Sequence, residues 1–111
     1  MWLLDVNLPT GLLALLRGYS ISCDTTANRG WRDLTNGLLA EAAFGAGFRV
    51  ILTRDRLFGE SASCALGGLP ELALVVVTLP QARAATYLSE FRACWEQRPI
   101  EPIAGSVVEW P

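Results

Sequence analysis

The sequence predicts an α/β domain in which a mostly parallel sheet carries helices on both faces, a three-layer α/β/α arrangement. Three observations predict it. Apolar strand-like runs alternate with helix-like segments from one end of the chain to the other, which is the pattern of βα units. Residues 72–78 form an unbroken, β-branched apolar run with no polar alternation, as a central strand buried on both faces requires. Hydrophobic residues make up 51% of the chain and charged ones 18%, which excludes disorder and supplies enough apolar surface to cover a sheet twice. With 111 residues, 1–111 form a single domain. Such a fold buries roughly 60–70% of the surface its unfolded chain exposes, so it needs no disulfide or structural metal.

The elements follow in order. Trp2-Leu3-Leu4-Asp5-Val6 is a short apolar run containing one carboxylate, a buried strand that ends where Asn7 and Pro9 open a helix. Leu12, Leu13, Leu15 and Leu16 give that helix its apolar face, and Arg17-Gly18 closes it. Residues 19–23 lean towards a second strand. The polar segment 24–33, with Arg29, Gly30, Trp31 and Arg32, is the longest irregular piece. Thr35 or Asn36 caps a helix through Leu38, Leu39, Ala42 and Ala43, which Gly45 and Gly47 end. Residues 48–53 read as a strand with Arg54-Asp55 at its carboxyl end, and a short helical turn is expected over 61–66. After the strand at 72–78, Pro80 opens the clearest helix, with Ala84, Leu88, Phe91 and Trp95 on one face. Residues 105–110 supply a last short strand, and right-handed crossovers are expected throughout.

Composition excludes much chemistry. The chain has no histidine, so a Ser-His-Asp triad, a Cys-His pair, a histidine zinc site and an imidazole base are impossible within it. All nine basic residues are arginines, which removes Schiff-base chemistry and the P-loop lysine. A net charge of −2 argues against coating nucleic acid by bulk electrostatics and leaves room for a local basic patch. Cys23, Cys64 and Cys94 are odd in number and lack C-x-x-C spacing, which points to a reducing cytoplasm and to buried small hydrophobes. There is no basic leader, and the longest apolar runs fall short of the ~20 residues of a membrane span, so a cytoplasmic protein without a membrane segment is predicted. Four tryptophans in so small a domain predict an apolar surface for a homodimer or another partner.

Asp5 and Asp55 each end an apolar strand and precede a turn, and in open α/β sheets ligands bind beyond the carboxyl ends of the strands. A buried carboxylate must be hydrogen-bonded or neutralised, and two in one crevice repel each other unless a hard divalent cation relieves them. With no histidine or lysine, an oxygen-ligated Mg²⁺ or Mn²⁺ is the common catalytic device still open to the chain. The alternatives are local: Asp5 and Asn7 as caps of the following helix, and Asp55 as an ordinary turn residue.

Leu3-Leu4-Asp5-Val6-Asn7-Leu8-Pro9, Gly30-Trp31 followed by Asn36-Gly37-Leu38-Leu39, and residues 50–58 with Thr53-Arg54-Asp55 together resemble the PIN-like domains of the Mut7-C/PIN-like group, small bacterial proteins related to the VapC-type toxin ribonucleases. The resemblance spans nearly the whole chain. It implies a PIN-like fold, a metal-dependent single-strand RNase site using Mg²⁺ or Mn²⁺, RNA as substrate and a cognate antitoxin protein as partner. Asp5 matches the first-strand acid and Asp55 the late acid. Asn36 stands where many relatives carry an Asp at the start of the second helix, as a neutral metal ligand, and Leu57 where many carry a further acid. Asp33, Glu41 or Glu60 would supply a third carboxylate. Arg54, Arg56 and Arg32 are the candidates to hold the RNA backbone, with Arg29 and Arg49 behind them. Trp31 either stacks on an unpaired base or anchors the core.

Two rival readings stand beside this one. Asp5-Val6-Asn7 is similar to the opening of haloacid-dehalogenase-type phosphatases, which need an Asp at position 7 and a later lysine that the chain lacks. A catalytically decayed PIN-like module acting by protein binding or dimerisation would keep the fold without the metal.

Overall fold

The computed structural model describes the backbone of residues 1–111 and the side chains of all but residues 59, 60 and 62–65. The side chains of Glu60 and Cys64 therefore lie outside the described residues. Five strands form one sheet: β1 (Trp2–Leu4), β2 (Cys23–Thr25), β3 (Val50–Thr53), β4 (Ala73–Val77) and β5 (Val107–Trp110). Their spatial order is β2-β1-β3-β4-β5 and every pairing is parallel. The helices are α1 (Gly11–Gly18), α2 (Thr26–Arg29), α3 (Asn36–Gly45), α4 (Arg56–Gly67) and α5 (Ala84–Gln97).

Every residue of β3 and β4 is buried, because their side chains alternate between two apolar layers. Leu4, Val50, Leu52, Val75 and Val77 point to the layer that holds α1 and α5, with Leu12, Leu16, Tyr87 and Phe91. Leu3, Ile51 and Leu74 point to the layer of α3 and α4, with Leu39, Ala43, Phe58 and Leu66. Among the described residues no helix is long and apolar enough to cross a membrane.

Several boundaries differ from expectation, each for a local reason. Pro9 and Asn7 precede α1 without opening it, since the helix starts at Gly11 after Thr10. Tyr19 and Ser20 are taken up by the turn that closes α1, where Ser20 has φ 65°, so β2 begins only at Cys23. The segment 24–33 is not irregular: β2 runs into it, and the Thr25 hydroxyl accepts from Asn28 N at 3.0 Å to start α2, which Gly30 ends at φ 74°. The turn expected over 61–66 is part of a 12-residue helix that begins at Arg56. Pro80 does not open α5; residues 78–83 cross the edge of the sheet first, and the helix starts at Ala84. Its buried face is Tyr87 and Phe91, with Leu88, Cys94 and Trp95 half-buried and Ala84 exposed.

The crossovers do not share one hand. The links β3-α4-β4 and β4-α5-β5 advance in the same direction across the sheet, yet α4 and α5 lie on opposite faces. The α1 crossover runs the other way on the α5 face and the α3 crossover runs back on the α4 face, so these two agree in hand with α4 and only the last differs. Uniformly right-handed crossovers are thus excluded, although that hand is the strong rule. Aromatic packing rewards the exception. Tyr19 stacks on Trp95 at 4.8 Å with the rings 2° apart, Trp2 lies 6.2 Å from Trp95, and Phe91 lies 4.7 Å from Trp110. Trp110 Nε1 donates to Arg98 O at 2.9 Å. These tryptophans tie α5 to α1, β1 and β5 rather than forming an outer apolar patch. Trp31 packs edge-on against Phe48 at 5.9 Å in the other layer, the core role rather than an open stacking platform.

Phe91 is fully buried between α5 and the sheet. Phe91→Ala is expected to cost about 3–5 kcal/mol in urea unfolding, a large share of a small domain's stability. Gly105 has φ 75°, and a Cβ there would sit 3.0 Å from Pro70 O. Gly105→Ala should destabilise by about 1–3 kcal/mol in the same measurement.

Candidate functional site

β1 and β3 are neighbours, and Asp5 N donates to Leu52 O at 2.9 Å, which extends their pairing past the end of β1 and sets Asp5 beside Thr53. From β1 the chain leaves to α1 on one face; from β3 it leaves to α4 on the other. Ligands of open α/β sheets bind at such a reversal, outside the carboxyl ends of the strands, and the order 2-1-3-4-5 places it between β1 and β3.

Thr53 joins the groups at this point. Its side chain is fully buried at the end of an apolar strand, and its hydroxyl donates to Asp5 Oδ2 at 2.8 Å. The same oxygen accepts from Asp55 N at 3.0 Å and, at a long 3.4 Å, from Asn7 Nδ2. Asp5 Oδ1 accepts from Val6 N at 2.8 Å, so Asp5 is held against β3 and does not cap α1. Asp55 does cap its helix: its Oδ1 accepts from Leu57 N at 2.9 Å. Its Oδ2 has no hydrogen-bond partner among the described residues, which leaves it free to meet a ligand. Asn7, read as a cap from the sequence, instead ties two strand ends, because its Oδ1 accepts from Arg54 N at 3.1 Å.

Asn36 is the first residue of α3, half-buried at the same edge of the sheet, and among the described residues its side chain makes no hydrogen bond to Asp5 or Asp55. Asp33 lies exposed in the loop before α3 and Glu41 lies exposed on α3. Among the described residues no cluster of three His, Cys, Asp or Glu side chains forms a metal site, so neither joins the pair as a third acid. Arg32 and Arg56 are exposed at this edge, in the loop before α3 and at the start of α4. Arg54 is half-buried on the opposite side of the crevice, its guanidinium 5.4 Å from the centre of the Tyr87 ring. Arg29 is occupied by Asp24 at 4.0 Å and by the Trp31 ring at 5.0 Å. Arg49 precedes β3 at the far edge of the sheet, where it meets Glu71 at 3.9 Å and the Phe44 ring at 4.4 Å, so it is no part of this site.

Two pKa shifts bear on the chemistry. Burial pushes the Cys23 thiol above its ordinary value, with the Arg17 guanidinium opposing, and Cys23 Sγ donates to Leu13 O at 3.5 Å. This thiol is a buried hydrophobe and not a nucleophile. Burial also pushes the Tyr87 phenol up, against the neighbouring Arg54 cation. Thr53 and Tyr87 are the site residues that sequence reasoning overlooks. A lone hydroxyl ending the buried run 50–53 marks Thr53, and Tyr87 lies four residues before Phe91 on its helix.

Comparison with family models, with curated proteins and with solved structures finds no match to the chain.

Thr53→Val removes a hydroxyl that serves Asp5, Asp55 and Asn7 at once, and urea unfolding should show a loss of about 1–3 kcal/mol, with Thr53→Ser recovering most of it. Asp55→Ala should cost about 1 kcal/mol through the lost cap, whereas Asp55→Asn, which can still cap, should stay within about 0.5 kcal/mol of the parent.

Proposed function

We propose that the protein is a PIN-like, metal-dependent endoribonuclease that hydrolyses phosphodiester bonds of single-stranded RNA, and that it acts in the cytoplasm as the toxin of a toxin-antitoxin pair. One observation carries the reading: Asp5 and Asp55 belong to adjacent strand ends at the switch point of the sheet, joined through the buried Thr53 hydroxyl.

The donor set suits a hard cation. Asp5, Asp55 and the Asn7 amide are oxygen donors, and Mg²⁺ is commonly held by one or two carboxylates with water and substrate phosphate completing its shell. Asp5 and Asp55 would hold Mg²⁺ or Mn²⁺, with Asn36 as a neutral ligand at the mouth of the crevice. When bound, the ion supplies a more acidic water and a counter-charge for the phosphate. The chain's own part is orientation. Thr53 fixes Asp5, the first turn of α4 fixes Asp55, and exposed Arg32 and Arg56 flank the approach of an RNA backbone.

A second reading, a decayed module that works by protein binding, is favoured by Leu57. It is 67% exposed at the place where many PIN-like relatives carry a further acid, and Leu38 on α3 is 53% exposed.

Cleavage of a fluorescent single-stranded RNA is expected with Mn²⁺ or Mg²⁺ and is expected to stop in excess EDTA. Asp55→Asn should lower the rate by at least about 100-fold while thermal stability stays near the parent's, because the cap survives but a charged ligand does not. Asn36→Asp should tighten Mn²⁺ binding in calorimetry by restoring a negative ligand. Cleavage that persists in EDTA would overturn the metal-dependent reading. Absence of Mn²⁺ binding, together with a sedimenting dimer that Leu57→Ser dissociates, would instead establish the binding module.

A further inference from the structure

On the α1/α5 side of the same switch point lies a second recess, of about 260 Å³, bounded by Asn7, Pro9, Arg54, Gln81, Ala84 and Tyr87. Two of its groups hold buried polar atoms without a hydrogen-bond partner, Arg54 Nε and the Tyr87 hydroxyl. Tyr87 is only 2% exposed, so its hydroxyl is removed from bulk water with nothing in the protein to bond to. Buried donors are ordinarily paired, and a pair of unpaired ones facing one recess marks a place for an acceptor.

The acceptor the recess suits is anionic. Arg54 has no ion pair among the described residues, and the carboxylate of the next residue, Asp55, is turned to the first turn of α4. No Asp or Glu is among the described residues that line the recess. Ala84, at its wall, starts the 14-residue helix α5, whose first turn carries no acid and receives no side-chain cap from Arg83. The first amides of α5 therefore add donors and the positive end of a helix dipole to those of Arg54 and Tyr87. Burial keeps the Tyr87 phenol protonated at neutral pH, hence a donor.

We propose that this recess binds a phosphate group, with the Arg54 guanidinium and the Tyr87 hydroxyl donating to its oxygens and the first turn of α5 facing its charge. Donors of three kinds, on β3's carboxyl end and on one helix, call for more acceptor oxygens than a planar carboxylate presents. The phosphate is either free or the 5′-terminal group of a nucleotide. The site does not depend on the metal reading, since Asp5 and Thr53 face the α3/α4 side.

The full chain would be titrated in EDTA with inorganic phosphate, adenosine 5′-monophosphate, adenosine and acetate, following Arg54 Nε–H and the amides of residues 84–86 by NMR and the heat by calorimetry. Saturable binding of phosphate is expected, with shifts centred on those groups. Arg54→Met should weaken it roughly 10-fold or more and Tyr87→Phe by about 3-fold to 10-fold, while Arg98→Gln leaves it unchanged. Tighter binding of the monophosphate than of inorganic phosphate would identify a nucleotide terminus, and equal binding a free phosphate. The wild-type titration decides even if a variant does not fold. Absence of saturable shifts, acetate binding as tightly as phosphate, or adenosine binding as tightly as its monophosphate would overturn the proposal. Because no divalent metal is present, none of these results bears on RNA cleavage.

Discussion

A parallel sheet whose interior strands are apolar on both sides can be left open to water on neither, and the course of the chain follows from that. β3 and β4 bury every residue, so α1 and α5 must cover one face and α3 and α4 the other. The chain therefore leaves β1 in one direction, returns past it from β2 to β3, and opens a crevice where the two paths part. The same requirement explains the last crossover. Without α5 on the α1 face, Leu52, Val75 and Val77 would lose their cover; burying side chains of this size contributes roughly 1.5–3 kcal/mol each, ample to outweigh a preference of hand.

The crevice is divided by its hydrogen bonds. Thr53 gathers Asp5 and Asp55 on the side of α3 and α4, while the next residue, Arg54, turns to α5 and Tyr87. Alternation along a strand produces this split, because successive residues leave opposite faces of the sheet. Asn7 spans the division, its amide nitrogen on Thr53 and its carbonyl oxygen on the Arg54 amide. One strand end thus presents a negative pocket on one side and a positive one on the other, two residues apart in sequence.

In a chain without histidine or lysine, all cationic work falls to arginine, and the structure sorts these residues by what they touch. Arg17 donates to Cys23 O at the end of α1, Arg29 is spent on Asp24 and Trp31, and Arg49 lies on Phe44 at the opposite edge. Arg32, Arg54 and Arg56 are left at the carboxyl edge. A planar, always-charged guanidinium suits both tasks seen here, stacking on aromatic faces and gripping oxyanions.

Much of this was legible in the residues alone. The unalternating runs at 50–53 and 73–77 announce buried parallel strands, and the carboxylates at 5 and 55 are placed at strand ends by the turns that follow them. Helix α1 and the start of α3 are likewise written locally, in leucine spacing and in the Thr35-Asn36 step. What sequence could not supply was anything decided by a neighbour distant in the chain. Helix α5 was expected to begin at Pro80 and bury Ala84, but residues 78–83 are used to reach the other face, which turns Tyr87 inward and Ala84 out. Asn7 resembled a helix cap until β3 arrived beside it with stronger claims on its amide. The sequence by itself determined which segments are strands and which carboxylates end them, because those are properties of local pattern. Only the tertiary structure decided the hand of the last crossover, the partners of Thr53 and the pairing of Arg54 with Tyr87, because each depends on which apolar surfaces must cover one another.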